Sequence, residues 1–296
     1  MKKGLILINA YSQLPTSINQ SKRLKEELEK LGVKTDVMRN DGFYAYINSV
    51  GDIESVAKQY NFCIYLDKDK YISEMLEKCG LRLFNSHKAI TDCDDKMTTY
   101  IQLANNGIVI PKTYPGLLCY DPDEKVKDFS LDIVEKGLGY PLIVKSSYGS
   151  LGKEIYKVDN REQLQKVSEY LKCKPHLFQE FVGSSCGRDI RVIIIDGKFV
   201  ACMMRKSEGD FRSNIEIGGE GYPIEITEEL KNECVKISKL LNLDYCGIDI
   251  LFGKKQGEYL VCEVNSNAFF GGIESVTGVN VAKEYAKHII KEVYGE

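Results

Sequence analysis

The sequence lacks the features that mark zinc-finger, membrane-spanning and strongly basic nucleic-acid-binding proteins. Its 296 residues include ten cysteines but no Cys-x-x-Cys pair, so no zinc or dithiol site is indicated. No apolar run is long enough to span a membrane, and Leu5–Ile8 is too short for the core of a signal peptide. The net charge of −3 gives no bulk attraction to nucleic acid. Several cysteines lie within apolar strand-like runs, where cysteine behaves as a small hydrophobic residue, so we expect a cytoplasmic protein. From the short apolar runs and the net charge, we expect no membrane or nucleic-acid partner.

Two common nucleotide-binding fingerprints are absent as well. Residues 9–12, which follow the first predicted strand, read NAYS rather than the Gly-x-Gly-x-x-Gly of a dinucleotide site. The loop at residues 146–153 reads SSYGSLGK and lacks both the Gly-Lys-Ser/Thr ending and the helix of a Walker A loop. Any nucleotide site in this chain must therefore be built from another set of residues.

Strands and helices alternate along roughly the first ninety residues, which is typical of a parallel sheet covered by helices. The helical periodicity of Ile18–Leu31 ends at Gly32, a favourable residue for a helix C-terminus. We also expect a helix at Ile53–Tyr60, between strands at Val33–Arg39 and Phe62–Asp67. Strands dominate the last third of the chain, so the expected fold class is α/β followed by α+β.

Three oxygen-bearing side chains mark a predicted hairpin near the C-terminal end. Strands at Gly247–Phe252 and Glu258–Asn265 flank a short polar turn with glycine at each end. Glu263 and Asn265 are two residues apart and so leave the same face of their strand, while the turn brings Asp249 opposite Glu263. Carboxylate and amide oxygens are hard ligands of the kind that Mg²⁺ prefers. The groups could instead face solvent, but the apolar residues around them favour metal binding.

Two lysines and a loop of small residues form a second candidate site. Lys145 ends an apolar strand directly before the loop, and Lys96 follows two aspartates in a predicted helix. Either lysine could act as a point charge on a phosphate, or could simply reach solvent. The backbone N–H groups at Gly149, Ser150 and Gly152 could approach phosphate oxygens closely, although a Gly-Ser hairpin turn is the simpler interpretation.

A polar stretch further along provides a third candidate. Asp189 and Arg191 alternate at the start of a strand and therefore share one of its faces. Residues 205–214 then read RKSEGDFRSN, which is too polar for a core element. This segment is either an exposed loop or a catalytic loop in which Arg205 and Arg212 bind anions through two hydrogen bonds each.

In combination and in order, these segments resemble the ATP-grasp superfamily. The run EGDFRSN at residues 208–214, followed by Gly218-Gly219, looks specifically like the RimK-type branch, which ligates amino acids to carboxylates. The similarity extends over about residues 80–290. It implies an N-terminal parallel α/β (pre-ATP-grasp) domain at 1–88 and a two-subdomain ATP-grasp fold. Its central subdomain, with the glycine-rich lid loop, would be 89–176, and its C-terminal subdomain, with the metal site, 177–296.

The resemblance also implies a role for each candidate residue. Lys96 and Lys145 would contact the α- and β-phosphates of ATP, and Arg205 would steady the reacting acyl group. The other nucleotide contacts would be a lid with Ser147, Gly149, Ser150 and Gly152, an adenine hinge of Gln179, Glu180, Phe181 and Val182, Asp189 at the ribose, and Arg212, Ser213 and Asn214 at the γ-phosphate. Asp249, Glu263 and Asn265 would hold two Mg²⁺ ions, for which Mn²⁺ could substitute.

The implied function is an ATP- and Mg²⁺-dependent ligase that joins a carboxylate to an amine through an acyl phosphate. An amino acid would be added to a small molecule or peptide that bears a carboxylate. Residues 266–272 read SNAFFGG, whereas many members of the branch have small residues with Pro and Gly there. Phe269 and Phe270 would make the acceptor side bulkier, so a ribosomal-protein substrate is not predicted. A small-molecule phosphotransferase and a non-catalytic ATP-binding regulatory module stay open, and the sequence is compatible with a homo-oligomer.

Overall fold

A parallel four-stranded sheet forms the N-terminal unit. The computed structural model describes residues 2–149, 152–215 and 218–295. Its first elements are β1 (Lys3–Ile8), α1 (Pro15–Lys30), β2 (Lys34–Arg39), β3 (Ala45–Ile47), β4 (Ile53–Ser55), β5 (Phe62–Leu66), α2 (Lys70–Lys78) and β6 (Arg82–Phe84). The strands are ordered β2-β1-β5-β6 and all run parallel, which confirms the parallel sheet predicted from the alternation of strands and helices.

The prediction of a helix at Ile53–Tyr60 is wrong. Its first residues form β4, which pairs with β3 in a small antiparallel hairpin. Asn48 shapes the turn, because its side-chain oxygen accepts hydrogen bonds from the backbone N–H groups of Val50 (3.0 Å) and Asp52 (2.9 Å). This local bonding of a side chain to the backbone favours a turn over a helix.

An antiparallel sheet forms the centre of the chain. The elements are α3 (His87–Asp94), α4 (Lys96–Leu103), β7 (Thr113–Pro115), α5 (Asp128–Leu138), β8 (Leu142–Ser146), β9 (Ile155–Val158), α6 (Arg161–Leu171) and β10 (His176–Glu180). The strand order is β7-β10-β8-β9, with every neighbouring pair antiparallel. Because β10 belongs to this sheet and continues to Glu180, the boundary expected at residue 176 falls at the start of a strand of the central sheet.

A five-stranded antiparallel sheet forms the last unit. Its elements are β11 (Arg188–Ile195), β12 (Lys198–Lys206), β13 (Glu220–Pro223), α7 (Glu228–Leu240), β14 (Tyr245–Phe252), β15 (Tyr259–Asn265), α8 (Gly271–Thr277) and α9 (Val281–Tyr294). The strand order is β13-β12-β11-β14-β15. In the described part of the chain, no helix combines the length and apolar character needed to cross a membrane.

The two faces of this third sheet differ in character because successive residues of a strand point to opposite sides. Even-numbered residues of β11, such as Ile190 and Val192, pack with Ile237 of α7 in a continuous apolar core. On the other face, Ile193 and Ile195 pack in a second core with α9. Nearer the N-terminal end of β11, the same face carries the polar residues Asp189 and Arg191. The candidate functional site lies on this polar part of the face.

Asn85, directly after β6, ties the N-terminal unit to the third sheet. It is 1% exposed, and its amide nitrogen donates to the backbone carbonyls of Tyr245 (2.8 Å) and Ser266 (2.7 Å). Its oxygen accepts from the backbone N–H groups of Asp244 (2.7 Å) and Tyr245 (3.1 Å). One buried side chain therefore satisfies four backbone groups beside the strands that carry the site.

Candidate active site

The predicted hairpin is present, and it carries the three predicted metal ligands on one face. Asp249 of β14 pairs directly with Glu263 of β15, and Cys262 is the extra residue of a β-bulge beside this pair. Asn265 ends the same strand. Its amide nitrogen is buried and has no hydrogen-bond partner among the described residues. A buried donor without a partner indicates that a bound ligand normally provides the acceptor.

Asp249 belongs to a chain of buried ion pairs that crosses three strands. Arg191 donates from both Nε and Nη2 to Asp249, with the Nη2–Oδ2 distance at 2.8 Å. Arg205 donates from Nε to Asp189 at 2.7 Å and places its Nη2 3.0 Å from Oδ2 of Asp249. All four side chains are buried. Two guanidinium groups therefore fix the Asp249 carboxylate, and losing one partner would leave an uncompensated buried charge.

This network affects two of the sequence-based predictions. Asp189, which we expect at the ribose, holds Arg205 with both carboxylate oxygens. Arg205, which we expect at the acyl group, is 3% exposed and paired with two aspartates. Neither role is tested by the arrangement, and both stay predictions. The geometry adds that these residues also orient Asp249.

Gly247 makes room for the Arg191 side chain. A Cβ atom at this position would lie 2.4 Å from Cβ of Ala268 and 3.0 Å from Cδ of Arg191. Arg191 therefore reaches Asp249 by passing over a strand position that has no side chain. Any larger residue would displace the guanidinium or the 268 segment.

Lys96 connects the central region to the predicted metal strand. It is 6% exposed, and its Nζ donates to the Gly149 carbonyl at 3.0 Å and lies 3.3 Å from Oε1 of Glu263. Burial acts to raise the pKa of Glu263, but the charges of Lys96, Lys68 and Lys145 outweigh burial and hold that pKa at about 2. The carboxylate is therefore ionised at neutral pH, which a ligand of a metal ion must be.

Lys145 is buried in the cleft between the central sheet and the third sheet rather than exposed at the surface of the protein. Its Nζ donates to the Tyr100 hydroxyl at 3.0 Å and to the Gln179 side-chain oxygen at 2.9 Å, and it is 4% exposed. The Gln179 amide nitrogen donates in turn to the Thr113 hydroxyl at 2.9 Å. The solvent-facing alternative for Lys145 is therefore wrong. A buried lysine with two neutral oxygen partners is a cation that a phosphate would bind strongly.

The glycine-rich loop contacts the polar segment of the third unit. Arg212 donates from Nη1 to the Gly152 carbonyl at 2.6 Å, and its Nη2 lies 2.7 Å from the Asp210 carboxylate. The Ser147 carbonyl accepts from the Lys96 backbone N–H at 3.0 Å. Gly149 and Gly152 adopt positive φ angles of 128° and 69°, so both turns favour glycine. Ser150, another predicted phosphate contact, lies outside the described residues.

Ser213 and Asn214, the other two residues predicted at the γ-phosphate, lie in different surroundings. Ser213 is 4% exposed, and Asn214 lines the same cavity as Glu263 and Asn265. The structure therefore brings one of the predicted γ-phosphate residues together with two of the predicted metal ligands.

The predicted adenine hinge begins at the end of β10. Gln179 points into the cleft toward Lys145, whereas Glu180 accepts a hydrogen bond from the Lys112 backbone N–H at 3.0 Å. The Phe181 ring contacts Phe211 edge to face at 6.2 Å between centroids. The Val182 carbonyl accepts from the Ser185 N–H at 3.0 Å. The segment therefore joins the second and third sheets, and its adenine contacts stay a prediction.

Two cavities open on the polar face of the third sheet. One of about 470 Å³ lies between that face and the N-terminal unit, where Asn9, Asp67 and Lys68 follow β1 and β5. The other, of about 300 Å³, is lined by Gln20, Arg205 and Phe269 among others. Because Phe269 and Arg191 line both cavities, the two spaces adjoin at the segment where the sequence departs from its resemblance.

Sequence reasoning missed several residues of this site. The period of two predicts the correct face for Arg191, but its pairing with Asp249 depends on a strand pairing that no local pattern reveals. Tyr100 lies in a helix of ordinary composition, and no sequence pattern marks it as a residue of the site. The residues after β1 and β5 could have been found, since ligands commonly bind at the carboxyl ends of parallel strands.

The donor set fits a magnesium ion. Asp249, Glu263 and Asn265 offer hard oxygen atoms on adjacent strands, while the unpartnered amide nitrogen of Asn265 is a donor that suits a phosphate oxygen in the same cavity rather than the ion itself. Arg191 and Arg205 contact the Asp249 carboxylate and Lys96 lies beside Glu263, so a metal ion would share both carboxylates with these basic groups. These three residues would therefore hold the ion.

Comparison with known proteins identifies the class. The sequence matches the RimK-like ATP-grasp domain over residues 93–289. The chain belongs to the RimK-like ATP-grasp family. Among solved structures, it is similar to the D-alanine–D-alanine ligase from Bacillus anthracis complexed with ATP, with a TM-score of 0.76, 18% identity, and coverage of 99% of this chain and 97% of that one. This likeness confirms the predicted ATP-grasp fold.

Two synthases are more similar to this chain in sequence than the D-alanine–D-alanine ligase is. Beta-citrylglutamate synthase B from Danio rerio is 34% identical over 76% of this chain and 54% of its own length. N-acetylaspartylglutamate synthase A from Homo sapiens is 35% identical over 73% of this chain and 54% of its own length. The chain thus spans about half the length of these relatives.

Proposed function

We propose that this protein is an ATP- and Mg²⁺-dependent ligase that joins an amino acid to a carboxylate-bearing small molecule or peptide. The observation that carries this proposal is the arrangement of three groups around the strand pair that bears Asp249 and Glu263. Lys96 lies beside Glu263, Lys145 donates to the hydroxyl of Tyr100, which donates to the Cys262 carbonyl, and Asn214 shares a cavity with Glu263. Cationic groups and oxygen ligands for a metal thus border one cleft. Phosphoryl transfer requires this kind of positioning and charge stabilisation more than covalent help from the protein.

In the proposed first step, a substrate carboxylate oxygen attacks the γ-phosphorus of ATP. The bond from that phosphorus to the β,γ-bridging oxygen breaks, which yields an acyl phosphate and ADP. Lys96 and Lys145 hold the α- and β-phosphates, and Arg212 with Asn214 binds the transferred group. When bound, Mg²⁺ neutralises charge on the phosphate oxygens. We include two ions in this proposal, with Asp249, Glu263 and Asn265 as their protein ligands.

In the second step, the amine nitrogen attacks the acyl carbon and displaces phosphate. The nitrogen gives its proton to the departing phosphate or to solvent, and an amide results. The contact between Arg212 and the Gly152 carbonyl supports a lid role for the loop, because it links the loop to the segment that binds the γ-phosphate. A closed loop would keep water away from the acyl phosphate.

The cavity of about 470 Å³ is the proposed place of the acceptor, since it adjoins Glu263 and Asn265. Its walls combine amides, such as Asn9 and Asn267, with the charges of Lys68 and Lys153. The same walls also carry the carboxylates of Asp67 and Glu263, so this polar lining suits a small charged molecule whose anionic groups lie near the lysines. Because the names of both relatives above denote products that contain glutamate, L-glutamate is the first amine to test.

The proposal is tested by following ADP release with ATP, Mg²⁺ and panels of amino acids and small carboxylic acids. We expect one carboxylate–amine pair to stimulate ADP release, and mass spectrometry to detect the amide. Hydroxylamine in place of the amine should trap the acyl phosphate as a hydroxamate. A stable phosphorylated product without amide would favour a phosphotransferase. Tight ATP binding without turnover for any pair would favour a regulatory module.

A further inference from the structure

A second cluster of charged side chains lies at the other end of β11 from Asp189. Asp196 occupies the turn between β11 and β12, and His288 and Glu292 lie four residues apart on one face of α9. One ligand atom from each residue lies within 4.8 Å of the other two. The cluster borders a cavity of about 360 Å³ that is also lined by Arg82 and Asp244.

The hydrogen bonds of His288 define which ring nitrogen can bind a ligand. Its Nε2 lies 2.9 Å from Oδ1 of Asp244, and Nη2 of Arg82 donates to both oxygens of that carboxylate at 2.9 and 3.0 Å. An ionised carboxylate only accepts hydrogen bonds, so Nε2 carries the proton. In the neutral ring, Nδ1 therefore presents a lone pair.

That lone pair faces another acceptor. Nδ1 is buried without a hydrogen-bond partner in the described structure, and it lies 3.6 Å from Oδ1 of Asp196. His288 itself is only 7% exposed. Two acceptor atoms that face each other at this distance need a cation or a proton between them. A carboxylate on the opposite ring nitrogen is the usual arrangement for a histidine that binds a metal.

We propose that Asp196, His288 and Glu292 form a binding site for a divalent transition-metal ion of the Zn²⁺ class. One imidazole nitrogen and two carboxylate oxygens are suitable ligands for Zn²⁺, whereas Mg²⁺ takes oxygen ligands. The exposed position of Glu292 leaves room for water as a further ligand. The ion would connect α9 to the β11–β12 turn, and through Asp244 and Arg82 to the N-terminal sheet. Its role is structural and separate from the proposed catalysis.

Neighbouring lysines limit the affinity of the site. Lys291 and Lys198 lie 3.1 and 3.3 Å from the other oxygen of Asp196, Oδ2, and Lys291 is also 3.9 Å from Glu292. Both lysine side chains are more than half exposed, so they can move away when an ion binds. Removing the charge of Lys291 should therefore strengthen metal binding.

The test uses the full chain without a histidine tag and with Glu263→Gln, which weakens metal binding at the candidate active site. Titration with Co²⁺ should give visible absorption bands of a nitrogen–oxygen site without the near-ultraviolet band of a thiolate ligand. Zn²⁺ should displace Co²⁺ and raise the Tm by a few degrees at saturation. Adding Glu292→Gln should weaken Co²⁺ binding about tenfold or more, and Lys291→Ala should strengthen it.

Glu284→Gln, on the same helix but outside the cluster, is the matched control and should bind Co²⁺ like its parent. Three results would overturn the proposal: a thiolate band, equal affinity in the Glu292→Gln protein, or no Co²⁺ binding at millimolar concentration. The last result would show that His288 takes only a proton between Asp196 and Asp244.

Discussion

Lys96, the first residue of α4, lies 3.3 Å from Glu263 near the end of β15. The same ammonium group donates to the carbonyl of Gly149 in the glycine-rich loop. One lysine therefore joins the candidate phosphate-binding loop to the candidate metal-binding strand. The depressed pKa of Glu263, about 2, is consistent with this arrangement, since burial alone would raise the pKa and the nearby lysines reverse that effect.

Lys145→Met should weaken ATP binding. The change removes a buried positive charge from the cleft, and hydrogen bonds to charged groups contribute roughly 1.5–3 kcal/mol, so the Kd for ATP should rise about tenfold or more. Calorimetric titration measures this Kd. Lys166→Met, on the exposed side of α6, is the control and should leave it unchanged. Equal affinities in the two variants would remove Lys145 from the nucleotide site.

Gly247→Ala should disturb the active site through Arg191. The new Cβ would lie 3.0 Å from Cδ of Arg191 and 2.4 Å from Cβ of Ala268, so we expect a loss of about 1–3 kcal/mol in the free energy of unfolding. Gly271→Ala is the control for stability, since its Cβ would meet no atom within 4 Å. Urea denaturation of the two variants measures the difference. Similar stability in both would show that neither Arg191 nor Ala268 needs the space at Gly247.

Asn85→Ala should destabilise the joint between the N-terminal unit and the third sheet. It removes four hydrogen bonds to buried backbone groups, for which we expect a cost of roughly 2–4 kcal/mol in the free energy of unfolding. Asn232→Ala, on the exposed surface of α7, should change that free energy by less than about 0.5 kcal/mol. Denaturation curves that do not distinguish the two variants would contradict the role of Asn85.

Glu27→Gln should reduce the dependence of stability on acidic pH. The hydrogen bond from Lys30 lowers the pKa of Glu27 from 4.5 to about 2, against burial and with help from Asn280 and Arg23. A lowered folded-state pKa means that the stabilisation is complete above about pH 4.5 and is lost as the pH falls toward 2. Urea denaturation between these pH values should show a smaller decline for the variant. Parallel curves for variant and parent would contradict the assignment.

The parts of this structure that were predictable from sequence are those governed by local patterns. The period of two in β15 put Glu263 and Asn265 on one face, and the short glycine-bounded turn brought Asp249 opposite Glu263, as the register confirms. The parallel N-terminal sheet followed from the alternation of strands and helices. The error at Ile53–Tyr60 arose because the Asn48 turn, which determines the hairpin, lies outside the segment itself.

What sequence could not reveal depends on contacts between distant segments. Arg191 and Asp249 meet because β11 and β14 pair, and their residues are far apart in the chain. Tyr100 reaches Lys145 only because α4 packs beside β15, and the Asp244 partner of His288 likewise comes from a separate loop. Such pairings follow from the topology of the sheets, which periodicity does not specify.

The most direct test of the proposed phosphoryl-transfer centre is the rate of amide formation by Glu263→Gln. We expect this variant to remain folded by circular dichroism and to lose most of its activity, by about a hundredfold or more, because a metal ligand has lost its charge. Glu258→Gln, an exposed change on the same hairpin, should keep the parent rate. A Glu263→Gln protein that turns over at the parent rate would contradict the assignment of Glu263 to the metal site.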